Sequence, residues 1–217
     1  MPVDLRLQQG YERNMSPAST TLAIDTAAPR LQLGLVQADG RADCLVEDIA
    51  TGHAERLFGC LETLLARNGL TYADLGRVAS TTGPGSFTGL RIGLSAARGL
   101  GLARGIPVLG VPSLLALSLT VEGPCTVLLD ARRGEAYVQA FAAPGVPTEP
   151  ARLLPLDEAE KLVPADGVVL RSPFVDIVAV ARFAAAAEPS AFPPEAAYVR
   201  DADAKPQSAA RLLRQTP

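Results

Sequence analysis

The 217-residue chain has little of the chemistry that many enzyme sites need, with one histidine and no tryptophan. Four residues after that histidine, His53, stands Leu57, so the paired-histidine helical motif of zinc sites is missing. A Ser-His-Asp triad is not supported either, because the chain offers no convincing serine or cysteine nucleophile. We therefore predict no metal site, no catalytic residue and no cofactor.

Long hydrophobic runs, paired cysteines and a strong charge of either sign are also lacking. No apolar run reaches the roughly 18 residues of a membrane span, and no secretory signal is recognised. Cys44, Cys60 and Cys125 are scattered without C-x-x-C spacing, which is typical of compartments where thiols stay reduced. With a net charge of −3, the chain is not suited to bind nucleic acid unaided. We expect a cytoplasmic protein that contacts no membrane and meets RNA only through a partner.

What remains is the composition of a folded globular protein, with 48% hydrophobic and 20% charged residues. A length of 217 residues allows one or two domains. Residues 1–19 carry no clear element, and Met15 lies just before the first convincing strand. We expect residues 1–19 to be a disordered or misassigned N-terminal arm.

One order of elements, a strand ending in aspartate, a turn and a second strand, occurs twice in the chain. It is first seen in LAIDTAAPRLQLGLV, with Asp25, and again in VLLDARRGEAYVQAF, with Asp130. The two segments align slot by slot without a gap, which indicates an internal duplication. Because strands alternate with helices, we predict an α/β fold of two ribonuclease-H-like lobes, residues 20–112 and 113–217.

Two helices are predicted in the first half, over residues 53–68 and 90–104. Thr51 is a plausible N-cap of the first, and Asn68-Gly69 is a stop signal. The first helix carries one apolar stripe, formed by Leu57, Phe58, Leu61, Leu64 and Leu65.

The second helix is rich in small residues. Gly93, Ala97 and Gly101 are spaced four apart, and Gly99 adds another glycine. Each interior glycine costs about 0.5–1 kcal/mol relative to alanine, so close approach of another element is expected in return. Two interpretations stay open: tight packing of both helices on their own lobe, or a flat surface for another protein.

The loop GPGSFTG follows a strand and opens the second helix, where backbone amides can bind an anion. Its glycines miss the G-x-G-x-x-G register, and neither a P-loop lysine nor a G-x-S-x-G elbow is present. Asp25 and Asp130 could hold a metal and phosphates between two lobes, although capping is the commoner role of such aspartates. The weak nucleotide-site candidates are Asp25, Asp130, Gly85 and Ser86, and a structural turn ranks before a phosphate site.

At these motifs the sequence resembles the TsaB (YeaZ) family, the glycoprotease-like subunit of bacterial tRNA threonylcarbamoyladenosine synthesis. The resemblance covers about residues 21–207. The matching segments are LAIDTA, HAERLFGCLETLL, GPGSFTGLRIG, PVLGVPSLLAL, LLDARRGEAYVQAF and YVRDADAKPQ.

The resemblance implies the fold of the actin, hexokinase and heat-shock-chaperone (ASKHA) superfamily, with a shortened second lobe. It implies a non-catalytic scaffold that binds and stabilises TsaD, together with TsaE, for threonylcarbamoyl transfer to the adenosine beside the anticodon of ANN-decoding tRNAs. In isolation such a chain is expected to form a homodimer, and tRNA is met only in the complex. The second lobe is clipped at Arg171-Ser172-Pro173, near the superfamily's adenosine site, so independent ATP binding is not expected.

The family's partner interface lies on the first two helices of the N-terminal lobe. Carried over by position, the expected interface residues are His53, Leu57, Leu61, Leu64, Leu65, Arg91, Leu94, Ala97 and Gly101. We expect Leu61→Asp to leave the monomer folded while abolishing the complex. The alternative is a nucleotide-dependent phosphotransferase or glycoprotease-like enzyme acting on its own through Asp25, Asp130 and the GPGSFTG loop.

Overall fold

The computed structural model describes residues 19–197, in which strands form two mixed five-stranded sheets. The first sheet has the order β3-β2-β1-β4-β5. Its strands are β1 (Thr20–Asp25), β2 (Leu31–Val36), β3 (Ala42–Glu47), β4 (Leu75–Thr81) and β5 (Val108–Val111). The second sheet has the order β10-β6-β7-β8, and β9 also pairs with β7. Its strands are β6 (Cys125–Arg132), β7 (Glu135–Ala143), β8 (Val146–Pro147), β9 (Arg152–Pro155) and β10 (Val168–Leu170).

Helices lie on both faces of the first sheet and on the second. They are α1 (His53–Arg67), α2 (Phe87–Arg104), α3 (Ser113–Ser118), α4 (Leu156–Glu160) and α5 (Ile177–Ala186). Two short 3₁₀ turns cover Tyr72–Asp74 and Pro189–Ala191. The predicted α/β class is confirmed, and none of the helices within residues 19–197 has the length and apolarity needed to cross a bilayer.

The central strands of the first sheet are buried along their whole length. Every residue of β1 and β2 is buried, because α1 and α2 cover one face and α5 covers the other. The α1–α2 layer closes a core that includes Leu31, Leu33, Leu57, Leu61 and Leu64. A buried leucine contributes about 1.5–3 kcal/mol, so this layer supplies much of the fold's stability.

The last helix, α5, belongs to the second half of the sequence but packs on the first sheet, against β1, β2 and β4. A Cβ added to Gly34 on β2 would lie 2.5 Å from the carbonyl oxygen of Ile177, so the first turn of α5 rests on the strand backbone. At the other end Arg77 on β4 donates hydrogen bonds to the carbonyls of Ala184 and Ala187, at 2.5 and 2.7 Å. The last helix of the predicted second lobe thus packs on the sheet of the first lobe, and the division at 112/113 stays a prediction.

The two hairpins share a topology but not a register. In each, the first strand pairs antiparallel with the next and parallel with a later one: β1 with β2 and β4, and β6 with β7 and β10. Asp25 faces Gln32, seven residues on, whereas Asp130 faces Ala136, six residues on. A bulge between Asp130 and Arg132 accounts for the difference. The alignment without a gap is therefore wrong by one residue, while the duplication itself stays a prediction.

Helix boundaries differ from the predictions at two N-termini. Gly52, with φ 84°, caps α1 in place of Thr51. Helix α2 starts at Phe87 and not at Leu90, because the Ser86 hydroxyl accepts a hydrogen bond from the Gly89 N–H at 3.2 Å. The Asn68-Gly69 stop is confirmed, since Gly69 adopts φ +67° directly after the cap. The predicted arm up to residue 18 and the YVRDADAKPQ motif lie outside the described residues.

Candidate functional site

The predicted interface residues lie mostly inside the molecule. Only Arg91 among them is exposed. Those that are buried are His53, Leu57, Leu61, Leu64, Leu65, Leu94, Ala97 and Gly101. In the free chain most of them lie on the helical face that covers the first sheet, and Leu57 and Arg91 also line the groove described next, so the set stays a prediction of partner contacts. Burial of Leu61 argues against the expectation that Leu61→Asp leaves the monomer folded, since the substitution would bury an unpaired carboxylate.

A different face of the same two helices is apolar and open. Phe58 on α1 and Phe87 on α2 are 47% and 54% exposed. They border a groove of about 760 Å³ between the helices. We call this the α1–α2 groove; it is lined by Ala54, Leu57, Phe58, Phe87, Thr88, Arg91, Ile92, Ser95, Ala96, Gly99 and Leu100.

The glycines of α2 divide between core packing and this groove. A Cβ on Gly93 would come within 2.7 Å of the Thr26 hydroxyl, and one on Gly101 would collide with Val108, so both glycines serve packing on the first sheet. A Cβ on Gly99 would meet nothing within 4 Å. No contact within the described chain therefore requires a glycine at position 99. Because Gly99 has no side chain, the groove floor is flat there and can be approached by another molecule.

The groove has one charged side chain in its lining. The Arg91 guanidinium carbon lies 3.8 Å from the centroid of the Phe87 ring, a cation–π stack that holds it over the groove. The other lining side chains are aliphatic, aromatic, small or hydroxyl-bearing. Such a lining suits a protein surface better than a polar small molecule.

A second concavity, which we call the central cleft, lies between the two sheets and has a volume of about 400 Å³. It brings together all four weak candidates, Asp25, Asp130, Gly85 and Ser86, although they are far apart in sequence. The hydroxyl of Tyr137 and the guanidinium groups of Arg132 and Arg171 belong to residues of the same lining.

Asp25 is committed to the interior of the fold. Its carboxylate accepts hydrogen bonds from the Thr81 hydroxyl at 2.6 Å, the Ala27 N–H at 3.1 Å and the Gln32 amide at 3.2 Å. Burial raises the pKa of Asp25, although these hydrogen bonds and the nearby His53 act in the opposite direction. Because its oxygens are already used, Asp25 is better placed to tie strand ends together than to hold a ligand.

Asp130 and the GPGSFTG loop are also used locally. The Asp130 carboxylate is exposed and accepts a hydrogen bond from the Arg132 N–H at 2.7 Å, as a turn cap does. In the loop, the Gly83 N–H donates to the Ser113 hydroxyl and the Ser86 N–H donates to the Ala27 carbonyl. Amides that are bonded inside the fold cannot cradle a phosphate, so the structural-turn interpretation of the loop is favoured.

His53 does not complete a metal site. It is buried at the start of α1, and its Nε2 has no hydrogen-bond partner among residues 19–197. The neighbouring turn of the helix offers Leu57, which has no ligand atom. Within the described part of the chain no three His, Cys, Asp or Glu side chains gather in a way that could hold a metal ion. The donor set therefore does not fit a metal.

The groove residues that sequence reasoning missed lie beside the apolar stripes. The sequence pattern groups Phe58 with the apolar stripe of α1, yet the side chain is 47% exposed. Gly99 falls outside the four-residue spacing of Gly93, Ala97 and Gly101. An aromatic side chain or a glycine that falls off the buried face of a helix is the signal that could have found this surface.

Comparison with known proteins agrees with this architecture. Residues 47–163 match the protein-family model described as TsaD: tRNA N6-adenosine threonylcarbamoyltransferase. An uncharacterized protein of Mycobacterium tuberculosis is 47% identical over 124 residues, 55% of this chain and 57% of that protein. The tRNA threonylcarbamoyladenosine biosynthesis protein TsaB of Escherichia coli is 36% identical over 121 residues, 54% of this chain and 52% of TsaB. The chain thus aligns with only a little over half of the length of these relatives.

A solved structure supports the fold over a longer stretch. A Pseudomonas aeruginosa protein described as similar to peptidase YeaZ superposes with a TM-score of 0.71 at 25% identity. The superposition covers 84% of this chain and 100% of the solved chain. The chain therefore belongs to the TsaD family of tRNA N6-adenosine threonylcarbamoyltransferases and, within it, to the TsaB (YeaZ) group.

Proposed function

We propose that this chain is a non-catalytic scaffold subunit that binds and stabilises a TsaD partner during tRNA threonylcarbamoyladenosine synthesis. In that role TsaD transfers the threonylcarbamoyl group to the adenosine beside the anticodon of ANN-decoding tRNAs, and TsaE takes part in the assembly. The single observation that carries the proposal is the open α1–α2 groove, with Phe58 and Phe87 exposed on its borders.

The groove has the composition of a protein interface. Large exposed aromatic side chains beside a floor of small residues let a helix approach closely and bury much apolar area. Gly99, which costs about 0.5–1 kcal/mol in an unpartnered helix, gains a use once a partner helix lies on it. A partner that covers this face therefore accounts for the glycine at position 99, which no contact of the described chain requires.

The central cleft supports the non-catalytic part of the proposal. Its buried carboxylate, Asp25, is held by three hydrogen bonds within the fold. In the GPGSFTG loop beside it, the amides of Gly83 and Ser86 are bonded within the fold. The net charge of −3 is consistent with tRNA being bound mainly by the partner.

A substitution at the groove floor tests the proposal. Gly99→Arg fits the free chain, where a side chain at Gly99 meets nothing, but it would obstruct a docked helix. The matched control is Ala186→Arg on α5, an exposed small residue of a helix on the opposite face of the first sheet.

Size-exclusion chromatography with purified TsaD and mass spectrometry of the modified nucleoside in tRNA provide the two readouts. We expect Gly99→Arg to lose co-elution and modification while Ala186→Arg keeps both. Normal complex formation by Gly99→Arg would overturn the assignment of the groove.

A second candidate function, nucleotide-dependent chemistry by the chain alone, is favoured by one observation: Asp25, Asp130, Gly85 and Ser86 all line one cleft. Calorimetry with Mg-ATP on the full chain separates the two proposals. Micromolar binding that is weakened by Asp130→Asn would support the second, because Asp130 is exposed and can be changed without unfolding the protein. We expect no such binding.

A further inference from the structure

Arg91 is the charged residue of an otherwise uncharged groove. Its guanidinium stacks on Phe87 but forms no hydrogen bond or ion pair with any side chain or carbonyl between residues 19 and 197. Many other arginines have anionic partners. The pairs are Arg30–Asp48, Arg41–Asp39, Arg56–Glu47, Arg67–Asp43 and Arg171–Glu160.

The stack on Phe87 uses the face of the guanidinium and leaves its edges free. The N–H donors of arginine point outward in the guanidinium plane, where they can meet both oxygens of one carboxylate. Because the ring already fixes the side chain, less rotamer entropy is lost when the pair forms. Arg91 is therefore pre-positioned for an anion that the described chain does not supply.

A partner that covers the groove must also compensate for the positive charge of Arg91. Removing Arg91 from water without an anionic partner is strongly unfavourable, whereas a carboxylate placed against it compensates for the lost hydration by an ion pair and hydrogen bonds. None of the described residues that line the groove is acidic. The acidic side chains of α1, Glu55 and Glu62, are exposed but do not line it.

We infer that Arg91 selects the occupant of the α1–α2 groove by pairing with a carboxylate on a helix of a different protein, flanked by apolar residues at helical spacing. This inference rests on the proposed function, since it concerns the same groove. A second copy of this chain is a poorer occupant, because a twofold contact brings the same surface from both sides. It would face two Arg91 side chains with a lining that contains no carboxylate.

The two assemblies consequently respond to Arg91 in opposite directions. Replacing Arg91 by glutamine removes the pair with TsaD, and the partner's carboxylate is left buried and unpaired. We expect the dissociation constant of the TsaD complex to rise roughly 30-fold or more. Arg91→Lys keeps the charge but loses the planar fork, so its effect is expected to fall between those of the wild type and Arg91→Gln. Self-association, by contrast, is expected to stay the same or tighten in Arg91→Gln.

The experiment uses the full chain and purified TsaD, with titration calorimetry for the complex and sedimentation equilibrium for the chain alone. Arg152→Gln, at an exposed arginine of β9 outside the groove, is the matched loss of one positive charge. Failure of the wild-type chain to bind TsaD would overturn the proposed function itself. If the wild type binds and Gly99→Arg does not, but Arg91→Gln binds as tightly as the wild type, only the role of Arg91 is overturned. Weaker self-association in Arg91→Gln would overturn it as well, since Arg91 would then pair between two copies.

Discussion

The Thr81 hydroxyl donates a 2.6 Å hydrogen bond to the Asp25 carboxylate, joining the ends of the parallel strands β1 and β4 inside the protein. Asp25 also borders the central cleft. The carboxylate that a nucleotide-binding fold would present to a ligand is thus used here to hold two strands and the following turn together.

The Asp25–Thr81 contact gives a first prediction, on the pH dependence of stability. Burial raises the pKa of Asp25 above its ordinary value of 3.8, so the folded state binds this proton more tightly than the unfolded state does. Stability associated with the protonated carboxyl is present below 3.8 and is lost as the pH rises through the raised folded pKa.

Asp25→Asn removes this titration. We measure the free energy of unfolding of both proteins by urea denaturation. As the pH rises from 4 to 8, we expect the value for Asp25→Asn to increase relative to the value for the wild type. The Gln32 amide, whose NH2 donates to Asp25 in the wild type, can turn its carbonyl oxygen toward the new NH2 and accept from it, so the variant is expected to fold. A difference between the two proteins that does not change with pH would contradict the assignment.

A second prediction compares two neighbouring apolar residues of α1. Leu61 is fully buried, whereas Phe58 is 47% exposed. Leu61→Ala is expected to lower the free energy of unfolding by about 2–5 kcal/mol, because it opens a cavity beneath α1. Phe58→Ser is expected to change it by less than about 1 kcal/mol. Equal losses in urea titrations of the two variants would show that the buried and open faces are misassigned.

The glycines of α2 provide a third prediction, in which the sign distinguishes the two sites. Gly99→Ala is expected to raise stability by about 0.5–1 kcal/mol, because the methyl group meets nothing and the helix gains propensity. Gly101→Ala is expected to lower stability, because its methyl group collides with Val108. Thermal unfolding of both variants gives the comparison. A stabilised Gly101→Ala would mean that α2 lies farther from β5 than described.

Arg77 leads to a fourth prediction, about the last helix. Its guanidinium bonds the carbonyls of Ala184, Ala185 and Ala187 at the end of α5. Arg77→Met keeps much of the side-chain volume but removes these donors, and is expected to cost about 1–3 kcal/mol of stability. Amide hydrogen exchange should quicken in α5 more than in α1. Unchanged protection of α5 would show that packing alone holds that helix.

Much of the fold was predictable because its signals are local. Strand alternation, the stop at Asn68-Gly69 and the leucine stripe of α1 each predict an element from neighbouring residues, and the structure confirms them. The cap at Gly52 and the bulge after Asp130 were not predictable, since both depend on backbone conformations that many sequences can adopt.

The site was harder to predict than the fold. Periodicity identifies which side of a helix is apolar, but it does not distinguish a face that covers the protein's own sheet from one left for a partner. Position in the family likewise indicates the two helices but not which of their faces is open: Leu61 and Ala97 are buried, whereas Phe58 and Gly99 line the groove. The cleft shows the same limit: Asp25 and Asp130 do meet there, but only the hydrogen bonds of Asp25 reveal that its carboxylate is already used.

Amide hydrogen exchange of the full chain, alone and with purified TsaD, tests the central claim most directly, because it reports where the partner lies without any substitution. We predict slower exchange in peptides that cover residues 54–62 and 87–102, with β7 to β9 unchanged. Slower exchange confined to the second sheet, with α1 and α2 unaffected, would contradict the assignment of the groove between these helices as the docking surface.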